Sequence, residues 1–169
     1  RYNEYIGESL KSALASNDFH NQGVIYNNLG LGEVRKKNYP KARSYFGLSI
    51  ASRKKIGDID GLAKTYQFMV DYYLGMHQYD SALLSALESK KLAQEINSLE
   101  TQMNASNSLS KIYELMGRFD EALSENKNFS TLSDSIKNDK IIRQTTQIQA
   151  NYELAKVEKT ASLEKQKMR

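Results

Sequence analysis

The chain has no cysteine, no tryptophan, one proline and two histidines in 169 residues. Without cysteine there can be no disulfide and no thiolate metal site, although this names no compartment. A single proline leaves long helices uninterrupted. No run approaches the ~18–20 consecutive apolar residues that a membrane-crossing helix needs, and no signal-peptide pattern stands at the start. Glycine forms no phosphate-cradling loop: Gly30 and Gly32 fall inside a helical pattern, where Gly30 reads as a packing glycine. His20 and His77 each fall at an expected helix junction, away from any two-His zinc spacing, and read as solvated or capping residues. Asp58/Asp60 and Asp120/Glu121 are explained by turns and helix starts. With no catalytic constellation, the expectation is a chain that is not an enzyme and takes no cofactor and no metal.

Net charge is absent over most of the length. Residues 1–136 carry 16 Lys/Arg against 16 Asp/Glu, and residues 137–169 carry 8 against 4, so the net +4 belongs to the tail. A neutral body argues against direct nucleic-acid binding, which needs a basic face to neutralise phosphates. The plain reading of the tail is a solvated charged helix. Hydrophobic residues make up 40% of the chain, enough for a continuous core in one domain or one short repeat array. Arg stands first where a complete chain has Met, so an excerpt from a longer protein is expected.

Three short stretches repeat at constant spacing: Asn38-Tyr39-Pro40-Lys41-Ala42, Gln78-Tyr79-Asp80-Ser81-Ala82 and Arg118-Phe119-Asp120-Glu121-Ala122. The step is 40 residues, within the range that marks stacked repeats. Upstream of each stretch runs a helical pattern, carried by Val24, Ile25, Tyr26, Leu29 and Val34, then Tyr66, Met69, Val70, Tyr73 and Leu74, then Leu109, Ile112, Tyr113, Leu115 and Met116. A second stripe follows each one, beginning at Ala42, Ala82 and Ala122. Each unit therefore reads as two antiparallel amphipathic helices. Pro40, Asp80 and Asp120 are expected to open the second helix: proline because its missing N–H is unpaired there anyway, aspartate because a carboxylate favours the positive end of the helix dipole. Core packing is the expectation for Tyr26, Tyr39, Tyr66, Tyr73, Tyr79 and Tyr113.

Tyr26-x₂-Leu29-Gly30, Tyr39, Ala42 and Phe46, with Tyr113, Gly117, Phe119 and Ala122, resemble the tetratricopeptide repeat family. The second unit departs from the family pattern, with Met69-Val70 in place of Leu-Gly and Gly75 early. The 40-residue period also exceeds the family's usual 34, as in members with an "IGD"-type link, here Ile56-Gly57-Asp58. The resemblance implies an all-α fold, a right-handed superhelix of antiparallel hairpins with a long C-terminal capping helix. Residues 1–136 would form the array: a half-repeat over 1–17, then units over about 22–60, 61–100 and 101–136. Residues 137–169 would be the capping or coiled-coil helix. Ser135, Ile148, Tyr152-Glu153, Lys159 and Leu163-Glu164-Lys165 look like the segment that joins such arrays to a membrane span and coiled coil in bacterial sensor histidine kinases and helix-turn-helix transcriptional regulators. The phosphoacceptor histidine, ATP box and Gly-rich lid of a kinase are absent, so any such catalysis would lie outside these residues.

Stacked hairpins create a concave groove lined by their first helices. The register places Asn27/Gln67/Asn107, Leu31/Asp71/Lys111 and Val24/Lys64/Asn104 on it. The carboxamides form a ladder with paired donors and acceptors, suited to an extended peptide backbone. The alternative is that exposed helix positions are often Asn or Gln without function. In the tail, Ile141, Thr145, Ile148, Tyr152 and Ala155 form one apolar seam, and Leu154, Val157, Ala161 and Met168 another. The first half is expected to cap the third unit, burying Ile141, Ile148 and Tyr152; the second half would offer a weak homodimer seam or lead to an output module. Two functions follow: a peptide- or protein-binding sensor or regulatory domain of a larger signalling protein in a two-component or transcriptional system, or a free-standing scaffold that assembles partners. The resemblance points to an extracytoplasmic (periplasmic) location with a membrane span nearby, while a basic flank beside a membrane points to the cytoplasmic side.

Overall fold

In a computed structural model, the backbone is described for residues 2–167 and the side chains for residues 6–158. Lys159, Ala161, Leu163, Glu164, Lys165 and Met168 of the tail pattern lie outside the described side chains. Seven helices follow one another, with no strand among the described residues: α1 (Tyr2–Ala15), α2 (Phe19–Arg35), α3 (Tyr39–Lys55), α4 (Ile59–Gly75), α5 (Tyr79–Glu95), α6 (Leu99–Leu115) and α7 (Phe119–Lys167). The fold is all-α, as expected, a stack of sequentially packed helices ending in a long C-terminal one. The chain divides into two compact units, Arg1–Leu132 and Ser133–Arg169.

Within the first unit the backbone repeats every 20 residues, half the step visible in the sequence. Asn17, Lys37, Gly57, His77, Asn97 and Gly117 all have φ between 52° and 74°. The residue after each donates its N–H to the carbonyl five positions back, from Asp18 to Ala13, Asn38 to Glu33, Asp58 to Arg53, Gln78 to Tyr73, Ser98 to Ala93 and Arg118 to Tyr113, at 2.8–3.0 Å. This is a Schellman closure, in which the residue closing one helix also caps the next. The carbonyls of Asn38, Gln78 and Arg118 already accept from Ala42, Ala82 and Ala122 at 3.0 Å. The second helices therefore open on Tyr39, Tyr79 and Phe119, and Pro40, Asp80 and Asp120 stand second, one place later than the sequence suggested.

The core repeats as well. One cluster holds Ala42, Phe46 and Tyr72 with Val34, Tyr39, Phe68, Tyr73 and Met76 packed on it. Forty residues on, Ala82, Ala86 and Ile112 sit with Leu74, Tyr113 and Met116, joined by Val70 and Leu109. Large and small residues trade places between the two. A Cβ on Gly30 would stand 2.6 Å from Phe46 Cε1, so glycine there is what admits the ring. In the next unit Val70 occupies the place of Gly30, and Ala86 the place of Phe46. Hydrogen bonds keep the same step: Ser49 Oγ donates to Gly23 O and Ser89 Oγ to Ala63 O, at 2.9 and 2.8 Å. Gln22 Nε2 donates to Ala13 O and Gln102 Nε2 to Ala93 O. The last pair, two steps apart, makes α1 the counterpart of α5, the second helix of its hairpin. Of the tyrosines assigned to the core, Tyr26 is buried and Tyr39, Tyr66, Tyr73, Tyr79 and Tyr113 are half-buried. Tyr72, not among them, is buried and meets Tyr39, Phe46 and Tyr73 edge to face.

The second unit is the later part of α7. Here the expected burial of Ile141, Ile148 and Tyr152 is corrected: they are 59%, 68% and 65% exposed. A single helix has no second element of its own to cover an apolar stripe.

Candidate partner-binding face

The first helices α2, α4 and α6 each carry three positions at spacings of three and four: 24/27/31, 64/67/71 and 104/107/111. Such spacing puts each set on one side of its helix. Helix α2 packs on α4 and α4 on α6, which brings the three stripes side by side. Their central and outer members then behave differently.

The central carboxamides are turned into the seams between helices. Asn27 is 2% exposed, and its Nδ2 donates to Thr65 Oγ1 on α4 at 3.1 Å. Gln67 is half-buried, and its Nε2 donates to Ser108 Oγ on α6 at 2.6 Å. The amide oxygens of both are buried beyond the reach of a ligand. Asn107 is half-buried. The ladder is thus a correction to the sequence reading at Asn27, whose buried amide ties α2 to α4, while Gln67 ties α4 to α6 and still borders an open pocket.

The outer members remain available. Val24, Lys64, Asp71, Asn104 and Lys111 are exposed and Leu31 is half-buried. Lys64, Gln67 and Asn104 meet around a pocket of about 210 Å³ with Phe68, Glu100 and Thr101. Phe68, Glu100 and Thr101 were not singled out from the sequence; Phe68 adjoins Gln67 and Thr101 precedes Asn104 by one turn, which is the signal that would have found them. One turn along α4, surrounding protein pushes the Asp71 carboxyl up from its ordinary range while the Lys111 ammonium on α6 pulls it down. A residue can be open to water and still feel this desolvation when protein atoms stand close around its carboxyl. Lys64 Nζ pairs with Asp60, four residues back on the same helix.

A second polar cluster, missed in the sequence, is structural. Arg53 is 4% exposed; its Nη1 donates to Asp58 Oδ2 and its Nε to Ser49 Oγ. Asp58 Oδ1 accepts the Gly61 N–H at 2.8 Å, capping α4. Burial would raise the Asp58 carboxyl, but the Gly61 N–H and the Arg53 guanidinium outweigh it and hold it below its usual value. His20 Nδ1 lies 3.5 Å from the same carboxylate. Gly23 and Gly61 make room for Arg53, since a Cβ on either would collide with its side chain.

The face combines an apolar-walled pocket with separated charges of both signs. No group of three His, Cys, Asp or Glu residues able to hold a metal ion occurs among the described residues, nor does a helix long and apolar enough to cross a membrane. No protein-family model matches the chain, and no curated protein is significantly similar to it.

Proposed function

We propose that this chain is a tetratricopeptide-like interaction array whose α4–α6 face docks a segment of a partner protein and carries out no chemistry of its own. The observation that supports this reading is the pocket formed across two repeats by Lys64, Gln67, Phe68, Glu100, Thr101 and Asn104, with Asp71 facing Lys111 one turn away. An apolar side chain of the partner fits against Phe68. A cationic side chain two or three residues along suits Asp71, whose carboxylate only the Lys111 charge now offsets. Recognition would rest on a few anchors, with the rest of the face excluding water.

Selection of a displayed peptide library on the intact chain tests this. Sequences with an apolar and a basic anchor should be enriched, and Asp71→Asn or Phe68→Ala should weaken them by more than tenfold, ~1.4 kcal/mol. Binding that both variants leave unchanged would refute the face.

The resemblance of the tail supports placing the array in the sensing or regulatory part of a larger bacterial signalling protein. Reading the coding sequence past Arg169 tests that placement. A membrane span followed by kinase or helix-turn-helix sequence agrees with it, and an immediate stop would leave a free-standing scaffold.

A further inference from the structure

The neutral sum over the array hides an uneven distribution of charge. Residues 22–60 carry 8 Lys/Arg against 3 Asp/Glu, and residues 61–136 carry 6 against 10. Five of those eight cations stand together where α2 turns into α3: Arg35, Lys36, Lys37, Lys41 and Arg43, all exposed. The one carboxylate among them, Glu33, is buried and already holds Lys36 Nζ and Asn38 Nδ2 at 2.9 Å. Among the described residues, none of the other four cations has an ion pair. The same positions forty residues on are Gly75, Met76, His77, Ser81 and Leu83, and eighty on they are Leu115, Met116, Gly117, Glu121 and Leu123. The basic ridge belongs to the first hairpin alone.

Two of these cations stand where local physics disfavours them. Arg35 and Lys36 close α2, and a cation suits the negative end of a helix dipole. Lys37 instead holds the left-handed turn, with φ of 59°, a place that asparagine or glycine fills at four of the six turns. Lys41 lies in the first turn of α3, at the positive end of that helix. There α5 has Asp80 and α7 has Asp120 and Glu121, whereas α3 has no acid. Lys41 Nζ is 5.9 Å from the centre of the Tyr45 ring, at the outer limit of a cation–π contact. Local penalties that no contact in the fold offsets point to a use outside it.

We propose that the ridge of Arg35, Lys36, Lys37, Lys41 and Arg43 docks a short acidic segment of a partner protein. The occupant follows from what lies beside the ridge. Tyr39 OH donates to Gly75 O at 2.8 Å, and Met116 shares a pocket with His77, Tyr79 and Ser81. The turns at 36–38, 76–78 and 116–118 therefore succeed one another along one end of the stack. The second and third of them are acidic: Asp80, Glu114 and Asp120 are exposed and Glu121 is half-buried, with Arg118 bound to Glu121 at 2.6 Å. A lipid surface or a nucleic-acid duplex laid on this end would meet charge of both signs. A few carboxylates on a flexible chain meet the first turn alone, where Arg35 and Arg43 can each hold one through two parallel N–H donors. The ridge shares no residue with the α4–α6 pocket, so it is a second contact that stands or falls apart from that face.

Fluorescence anisotropy of a fluorescein-labelled peptide of alternating Glu, Asp and Ser tests this on the intact chain at about 0.15 M salt. The wild type should bind the peptide. Lys37→Gly/Lys41→Glu, which installs the residues of the third hairpin at both places, should weaken binding more than tenfold. The same variant should melt at a higher temperature, since both local penalties are relieved; a merely solvated charge cluster would give the rise without the loss. Arg43→Glu repeats the test of the loss at a separate exposed position. Lys54→Glu at the far end of α3, and Phe68→Ala in the α4–α6 pocket, should leave peptide binding unchanged, which separates failure of the ridge from failure of that pocket. A wild type that ignores the peptide, or a double variant that binds it undiminished, overturns the inference. Tighter binding of an oligothymidylate or of phosphatidylserine vesicles than of the peptide also overturns it. So does a wild type that is dimeric by light scattering where the double variant is monomeric, since the ridge would then serve a second copy.

Discussion

The exchange of large and small residues between the first two hairpins can be tested by importing one unit's solution into the other. In Gly30→Val, the new Cβ stands 2.6 Å from Phe46 Cε1, 2.9 Å from Cδ1 and 3.0 Å from Cζ, so the ring must shift. Phe46 is 1% exposed and held by Tyr72, which leaves it little room to do so. Overpacking of this kind costs about 1–3 kcal/mol. Phe46→Ala removes a fully buried ring and opens a cavity, at about 3–5 kcal/mol. Independent effects would add. The double variant instead rebuilds the Val70/Ala86 pair of the next unit: the valine fills part of the cavity, and losing a mid-helix glycine recovers a few tenths of a kcal/mol. The double variant should therefore be more stable than Phe46→Ala alone, with a coupling of about 2 kcal/mol or more in its favour. Urea unfolding followed by circular dichroism on all four chains gives the cycle. Additive losses would mean that the two units do not share one packing scheme and that the register of their cores is accidental.

Asp58→Ala removes the α4 cap and leaves the Arg53 guanidinium buried without its carboxylate, a loss of about 3–5 kcal/mol measurable in the same assay. Because the Asp58 carboxyl is held below its usual value in the folded chain, its contribution is present above the unfolded value and lost as pH falls through the folded one. Wild type should lose stability below about pH 4, and a variant without that dependence confirms the source. Asp71 is shifted the other way, upward by desolvation, so its contribution is present in acid and lost as pH rises through the folded value. Asp71→Asn should raise the melting temperature at neutral pH, leave it unchanged in acid, and weaken partner docking; equal melting at neutral pH would count against the desolvated position. Lys37 and Gly57 occupy the same left-handed turn with φ of 59° and 64°. Lys37→Gly should stabilise and Gly57→Ala destabilise, each by about 1 kcal/mol, and like signs in thermal unfolding would refute the shared geometry. Asn27→Ala breaks the tie to Thr65 and should cost stability by about 1–2 kcal/mol without changing the peptides selected by the docking face.

By itself the sequence determined the hairpin and its period. Ala42, Ala82 and Ala122 are small where two helices touch, Gly30 is small opposite Phe46, and the apolar stripes keep helical spacing; these are local constraints, each satisfied by residues within one turn or one hairpin, and local constraints are written in spacing. The 20-residue step of the junctions was not legible, because Asn, Lys, Gly, His, Asn and Gly all fill one left-handed position. There the closure of backbone hydrogen bonds selects the conformation and side-chain identity only modulates its cost. Only the tertiary structure decided what faces what between units. It turned the carboxamides of Asn27 and Gln67 into seams, joined Arg53 to Asp58 beneath two glycines, drew Phe68 and Glu100 into one pocket with Lys64, and left Ile141, Ile148 and Tyr152 exposed on a helix that does not turn. Each of these depends on the distance between residues some way apart in the chain, or on whether one turn forms, and a stripe of apolar or polar residues reads the same in sequence whichever neighbour it meets.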